Sequence, residues 1–99
     1  MMLPLSFNQR VSSDLKGIIS FYEQESGINL AEEFQAESIA CLDQILKNPQ
    51  QFHFFFNDLR RANLKRFPYH ILYRIKSTSI RILVIRHHHR NPNFGINRQ

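Results

Sequence analysis

Hydrophobic residues alternate with other residue types at the start of the chain and then recur at helical spacing. The segment Leu3–Phe7 alternates and predicts a short strand; because Pro4 cannot donate to a ladder, we place it at a sheet edge. A first helix is predicted next, capped by Asn8 and ended by Ser26-Gly27, since glycine suits the left-handed position after a helix. Its apolar stripe is Val11, Leu15, Ile18, Ile19 and Tyr22.

A second helix is predicted to follow after a short connection. Asn29 and Glu32 form an N-x-x-E pattern typical of a capping box at its start, and Asn48-Pro49 ends it. Such a short connection predicts an antiparallel helical hairpin. Glu33 and Glu37 are expected to face solvent, and Cys41 is interpreted as core packing and not as a nucleophile. The predicted buried stripe is Ala31, Phe34, Ser38, Cys41, Leu42 and Ile45.

The second half of the chain predicts strands. The segment Gln50–Asn57 follows neither period and is interpreted as a packed loop, whereas residues 58–66 alternate in part. Residues 69–76 alternate clearly, with Tyr69 and Tyr73 on the apolar side, where we expect them in the core. After a turn at residues 77–79, Ile80–Ile85 is apolar on both faces except at Arg81, which predicts a central strand with helices on one side.

The predicted order of elements is β-α-α-β-β-β, which is an α+β fold with a helical hairpin packed on one sheet face. Ninety-nine residues are expected to form one domain, residues 1–99, with residues 91–99 as a coil tail. No apolar run reaches the length of a membrane span, and no signal peptide is recognised. One cysteine excludes an internal disulfide. A cytoplasmic protein without a cofactor and without a membrane partner is the expectation.

Charge is divided unevenly along the sequence. Residues 1–49 hold three basic and seven acidic residues, whereas residues 50–99 hold ten basic residues and one acid, Asp58. All five histidines also lie in the second half. Solubility does not require such segregation, so we expect a basic surface that meets a polyanion or an acidic protein.

Several segments together resemble the RelE/ParE toxin superfamily of bacterial type II toxin–antitoxin modules. They are FYEQESGINLAEEF (residues 21–34), RRANLKRFPYHILYRI (60–75) and RILVIRHHHRNP (81–92), in that order, and the resemblance extends from Phe7 to about Phe94. It implies a toxin that a cognate antitoxin silences in a hetero-oligomeric complex. RelE-like members enter the ribosome and cleave messenger RNA, whereas ParE-like members bind DNA gyrase. This chain looks closer to the ParE-like and plasmid-stabilisation branch.

RNA cleavage would need a base, an acid and cations for the phosphorane charge, and the basic half offers candidates for these roles. In the ribonuclease branch the last strand ends in Arg-x-His-Tyr; Arg86-His87-His88 matches its first three positions, but His89 replaces the tyrosine. His70 stands where that branch has a phosphate-binding arginine. These departures favour gyrase binding, and ribonuclease activity stays the alternative. The catalytic candidates under that alternative are Arg61, Lys65, His70, Arg86 and His88. The target- or phosphate-binding candidates are Arg60, Arg61, Lys65, Arg66, Arg86 and Arg90.

Less specific interpretations stay open beside these. Arg74, Lys76 and Arg81 alternate along strands and are interpreted as a solvated face. The run His87–His89 could place two imidazoles on one side of a strand, but two histidines make a poor metal site without a third ligand. We therefore expect no metal. A basic protein of the same descent that has lost its toxicity is a further possibility.

Overall fold

A computed structural model describes residues 2–99 of the chain. The two helices are α1 (Val11–Ser26) and α2 (Ile28–Lys47), and a 3-10 turn follows at Pro49–Gln51. One sheet has the strand order β1-β5-β4-β3-β2. Its strands are β1 (Leu5–Phe7), β2 (Phe54–Phe56), β3 (Leu59–Asn63), β4 (Tyr69–Ile75) and β5 (Ile80–His87). The predicted α+β fold with a helical hairpin is confirmed, with one strand more than predicted.

The sheet joins the two ends of the chain. β1 pairs in parallel with β5, and its ladder begins where Ile80 N donates to Pro4 O and ends where Asn8 N donates to Ile82 O. β5 also pairs with β4, which pairs with β3, and both of these contacts are antiparallel. The predicted central position of Ile80–Ile85 is therefore confirmed, with β1 as the edge strand that Pro4 indicated.

One side of the sheet, here called the helix face, is covered by α1 and α2. Phe34 of α2 is fully buried, and its ring lies 5.4 Å from Phe67 and 5.3 Å from Tyr69 between centroids, in edge-to-face geometry. Tyr69 and Tyr73 are buried, as predicted. In α2, Leu42 is half-buried and the other residues of the predicted stripe are buried, so the stripe predicted for this helix is confirmed with one partial exception. Neither helix is long and apolar enough to cross a membrane, judged over residues 2–99.

The opposite side, here called the tail face, carries a second and smaller core. Leu59, Leu72, Leu83 and Val84 are buried there under Phe55 and under Phe94 and Ile96 of the C-terminal segment. This segment contains no helix or strand, but it bends through turns and packs on the sheet. Gly95 permits the close approach: its φ is +80°, and a Cβ there would lie 2.9 Å from Val84. The tail is thus a coil in conformation and part of the packed structure.

An ion pair closes the tail against α1. Arg98 donates from Nη1 to Asp14 Oδ2 at 2.7 Å and from Nη2 to Oδ1 at 3.1 Å, and both side chains are 10% exposed. Asp14 Oδ2 also accepts from the backbone N–H of Ile85 at 3.3 Å. Because β1 ends beside Ile82, the Asp14 carboxylate takes the place of a strand partner for β5.

Two local predictions are wrong. The segment Gln50–Asn57 is not a packed loop, because it contains the 3-10 turn and β2, which pairs with β3 at the sheet edge. Phe54 and Phe56 are 62% and 50% exposed, so three consecutive phenylalanines hide the alternation that identifies strands. The capping box at Asn29 is also absent: α2 begins at Ile28, directly after Gly27, and no side chain caps it. Asn8 Oδ1 does accept from Arg10 N just before α1.

Candidate functional site

Pairing of the last three strands brings four candidate residues together on the tail face. In the register, His70 of β4 lies opposite both Asn63 of β3 and Arg86 of β5. Arg61 lies two residues before Asn63 on the same side, because side chains alternate along a strand. His88 follows β5 and contacts both Arg61 and His70. We call Arg61, His70, Arg86 and His88 the His–Arg cluster.

Hydrogen bonds connect the cluster into a chain. Arg86 Nε donates to His70 Nε2 at 2.9 Å, and His70 Nδ1 lies 2.9 Å from His88 Nδ1. Arg61 Nη2 lies 3.2 Å from the same His88 Nδ1, and Arg61 Nε donates to Asn63 Oδ1 at 2.8 Å. The two imidazole planes are within 11° of each other.

The donors in this chain determine the tautomers of both imidazoles. An arginine only donates, so His70 Nε2 must accept from Arg86 and the His70 proton must reside on Nδ1. His70 Nδ1 then donates to His88 Nδ1, which also accepts from Arg61. His88 in its neutral form consequently carries its proton on Nε2. This assignment follows from the network of partners around the rings.

Both imidazoles are held neutral. Burial, followed by the charges of Arg61 and Arg86, lowers the pKa of His70 to about 3. Burial also lowers the pKa of His88, with the Arg61 guanidinium as the next cause. Protonating His88 on Nδ1 would place a third donor against two others, so geometry and electrostatics act in the same direction.

Arg86 is the structural anchor of the cluster. Its side chain is buried, and Nη1 donates to the carbonyl oxygens of Asn91, Pro92 and Phe94 at 3.2, 2.8 and 2.9 Å. Burial lowers the pKa of Arg86, and Arg61 adds to that effect. Arg86 therefore fixes both the start of the tail and the orientation of His70, through its Nη1 and Nε donors.

The cluster contains no carboxylate. The one acid in residues 50–99, Asp58, contacts Arg74, whose Nε lies 3.3 Å from Asp58 Oδ2. Across residues 2–99, no three His, Cys, Asp or Glu side chains are grouped so that they could hold a metal ion. The site thus consists of two guanidinium groups, two neutral imidazoles and the amide of Asn63.

The structure places the other candidate residues elsewhere. Arg60 points to the helix face, where Nη1 donates to Phe52 O at 2.8 Å and the guanidinium lies 4.0 Å from the Phe54 ring centroid. Lys65 lies exposed after β3. The remaining two arginines contact acidic or aromatic side chains: Arg66 reaches Glu33 and Glu37 of α2, and Arg90 covers the Phe94 ring. The same contact leaves Glu37 half-buried, so its expected solvent exposure is only partly correct.

Sequence reasoning missed Phe55 and Asn63. Phe55 of β2 lies beneath the cluster, with its ring centroid 5.2 Å from the Arg86 guanidinium and 5.9 Å from that of Arg61. Because residues 50–57 were interpreted as a loop, Phe55 was not assigned to either side of the sheet from the sequence. The two-residue spacing from Arg61 to Asn63 was the available signal for Asn63.

Cys41 is buried on the helix face, as predicted. Burial, with a smaller contribution from the charge of Glu37, raises the pKa of its thiol to about 11. A thiol with such a pKa is protonated at neutral pH, which agrees with a packing role.

The fold order and the helical hairpin agree with the resemblance to the RelE/ParE toxin superfamily, and comparison with known families confirms it. The family model of the ParE toxin of the type II toxin–antitoxin system parDE matches residues 5–92, and the chain belongs to this family. Among solved structures, the chain is similar to a chain of the chromosomal ParDE toxin–antitoxin system from P. aeruginosa. That match has a TM-score of 0.78 and 21% identity, and it covers 87% of this chain and 96% of the other. Comparison with curated protein sequences finds no match.

Proposed function

We propose that this ParE-family toxin inhibits growth by binding DNA gyrase in the cytoplasm, and that a cognate antitoxin neutralises it there. Family membership supports the toxin part of the proposal. The choice of gyrase over messenger RNA rests on the His–Arg cluster, whose chemistry suits binding better than proton transfer.

The observation that carries this choice is the occupancy of His88 Nδ1. A general base needs a free lone pair within reach of the proton that it removes. His88 Nδ1 already accepts from His70 and Arg61, and His70 Nε2 accepts from Arg86. With no carboxylate in the cluster, none of its groups is placed to deprotonate a ribose 2′-hydroxyl.

Purified protein and purified gyrase provide the direct test. We expect the protein to inhibit supercoiling and to accumulate gyrase complexes on cleaved DNA. His88→Gln should change the inhibitory concentration by less than about tenfold, because it removes a contact and no chemical step. Unchanged supercoiling at toxin concentrations well above those of the enzyme would contradict the proposal.

The alternative is a ribosome-dependent endoribonuclease, which the convergence of Arg61, His70, Arg86 and His88 favours. Primer extension on translated messages after expression without antitoxin distinguishes the two. Under this alternative, His88→Gln and Arg61→Ala should each lower the cleavage rate by about 100-fold or more. Intact messages, together with filamentation and a DNA-damage response, would support gyrase.

The antitoxin part of the proposal rests on charge. Residues 50–99 carry ten basic residues and one acid, so an acidic segment of the antitoxin would be attracted to this half. We expect the association rate to fall steeply with added salt, since electrostatic steering is screened beyond about 10 Å at 0.1 M salt. A rate that stays constant between low and high salt would contradict electrostatic steering.

A further inference from the structure

The His–Arg cluster concentrates positive charge that no carboxylate of the described chain compensates. Arg86 is 4% exposed, yet its described partners are carbonyl oxygens and an imidazole. Arg61 contacts an imidazole and an amide. Most buried or half-buried guanidinium groups in proteins are paired with anions, so two adjacent guanidinium groups without one produce a local field that attracts an oxyanion.

Two half-buried side chains of the cluster, Arg61 and His88, keep donors free at its surface. In the neutral form His88 carries its proton on Nε2, on the side of the ring turned away from His70, and the residue is half-buried. Within residues 2–99, neither His88 Nε2 nor Arg61 Nη1 has a hydrogen-bond acceptor. The two side chains are in contact through Arg61 Nη2 and His88 Nδ1 at 3.2 Å, and a ligand that meets both donors is one large enough to span the two side chains.

The geometry points to an oxyanion-binding site at Arg61 and His88, in which His88 donates from Nε2 as a neutral imidazole. The chain Arg86–His70–His88 positions this proton before any ligand arrives. The ligand class is a phosphate group, and Arg61 supplies the positive charge because a guanidinium matches phosphate oxygens. Neither gyrase nor the antitoxin enters this inference, so it stands independently of the proposed function.

A distinctive pH dependence follows from a neutral donor. An ordinary histidine site binds anions after protonation, so its affinity rises about tenfold for each unit of falling pH above the imidazole pKa. Here the charged and titratable groups around His88 are cationic or neutral: Arg61 of β3, His70 of β4, Arg86 and His87 of β5, and the following His89. Burial, Arg61, His87 and His89 lower the pKa of His88, and His70 already donates to its Nδ1. We therefore expect anion affinity to stay almost constant between pH 6.5 and 8.

Sulfate is the probe, because its charge is constant over this pH range, and ionic strength is held constant with chloride. Titration followed by NMR should give dissociation constants at pH 6.5 and pH 8 that agree within about twofold. Imidazole ¹⁵N spectra of the same sample should show His88 protonated on Nε2 and not on Nδ1. A tenfold gain at the lower pH with His88 titrating in its ordinary range would overturn the proposal, as would the absence of binding at 100 mM sulfate.

Variants distinguish sulfate binding at this site from a general attraction of sulfate to a basic protein. Arg61→Gln should weaken sulfate binding by about tenfold or more, and His88→Phe by about threefold or more. Lys76→Gln removes the same charge from the exposed β4–β5 turn, and His53→Phe removes an exposed histidine outside the cluster. The sulfate dissociation constants of both variants should stay within twofold of that of the unmodified protein. Equal losses in Arg61→Gln and Lys76→Gln would contradict a defined site. The ¹⁵N measurement on the unmodified protein needs no variant and does not depend on how they fold.

A short single-stranded oligonucleotide distinguishes the two sources of a phosphate group. If the oligonucleotide displaces sulfate and Arg61→Gln lowers its affinity too, the site takes a nucleic-acid backbone. If sulfate and inorganic phosphate bind but the oligonucleotide does not displace them, the site takes a free phosphate or a phosphomonoester. Both results support an oxyanion site at Arg61 and His88. Displacement that is equally strong in Arg61→Gln would place the oligonucleotide elsewhere and count against a backbone site.

Discussion

The two faces of the sheet are built from the same strands but differ in chemistry. On the helix face, Phe34, Phe67 and Tyr69 pack with aliphatic residues of the hairpin in a core built from apolar and aromatic side chains. On the tail face, a smaller apolar core lies beside Arg86 and His70, both buried and both hydrogen-bonded. The comparison shows that the larger apolar core lies on one face, whereas the other face combines a smaller core with buried charged and polar groups.

The largest expected effect concerns the helix face. Phe34→Ala should lower the free energy of unfolding by about 3–5 kcal/mol, because it removes a fully buried ring and leaves a cavity. Urea denaturation measures this. Ile39→Ala on the same helix is the control, since Ile39 is 59% exposed and its loss should cost less than about 0.5 kcal/mol. Similar costs for the two variants would contradict the assigned orientation of α2.

The next effect concerns the ion pair that joins the tail to α1. Asp14→Ala should lower the free energy of unfolding by about 3 kcal/mol, because it leaves Arg98 without a counter-charge and the N–H of Ile85 without an acceptor. Asp43→Ala breaks the exposed pair with Lys47 in α2 and should cost less than about 0.5 kcal/mol. Thermal or urea denaturation compares them. An equally small loss for Asp14→Ala would mean that the tail adds little to the fold.

Lowering the pH should reduce the free energy of unfolding through His70 on the tail face. The unfolded chain takes up a proton on His70 below its ordinary pKa of about 6.5, whereas the folded pKa is about 3, so stability falls as pH falls between these values. From pH 6.5 to 5.5, His70 should account for about 1 kcal/mol of lost stability. His70→Gln should lose that share of the pH dependence, measured by urea denaturation at both pH values. His53→Gln, at an exposed position, should keep it.

The smallest effect is expected where charge on the tail face is paired at the surface. Arg74 contacts Asp58, whose side chain is 64% exposed, so Arg74→Ala should lower the free energy of unfolding by about 0.5 kcal/mol or less. Denaturation in low and high salt measures it. A loss as large as that of Asp14→Ala would show that this pair contributes as a buried one does.

Periodicity predicted most of the helix face. The stripes of both helices and the alternation in β4 identified Phe34, Tyr69 and Tyr73 as core, because burial on one side imposes the period directly. The same reasoning failed at Phe54–Phe56, where every position is aromatic and strand pairing, not amphipathicity, determines the structure. It also failed at the start of α2, since Gly27 ends one helix and begins the next.

The candidate site could be predicted only in part. The basic half of the sequence offered Arg61 and His70 as candidates on predicted strands, and the likeness to Arg-x-His drew attention to Arg86 and His88. The sequence does not reveal that Arg86 donates from Nη1 to carbonyl oxygens of the tail or that Arg60 points to the helix face. Those facts depend on the strand register and on where residues 91–99 pack, which are contacts between segments distant along the chain.

The pairing of β1 with β5 has a consequence for synthesis of the protein. The ladder joins Leu5 to Ile80, so β1 is made well before the strand with which it pairs. While the ribosome produces the residues between them, β1 and the apolar underside of the hairpin have no completed sheet to cover them. Contacts this distant in sequence slow folding, because loop closure must precede the stabilising contacts. The five-stranded sheet can therefore close only after β5 has been made.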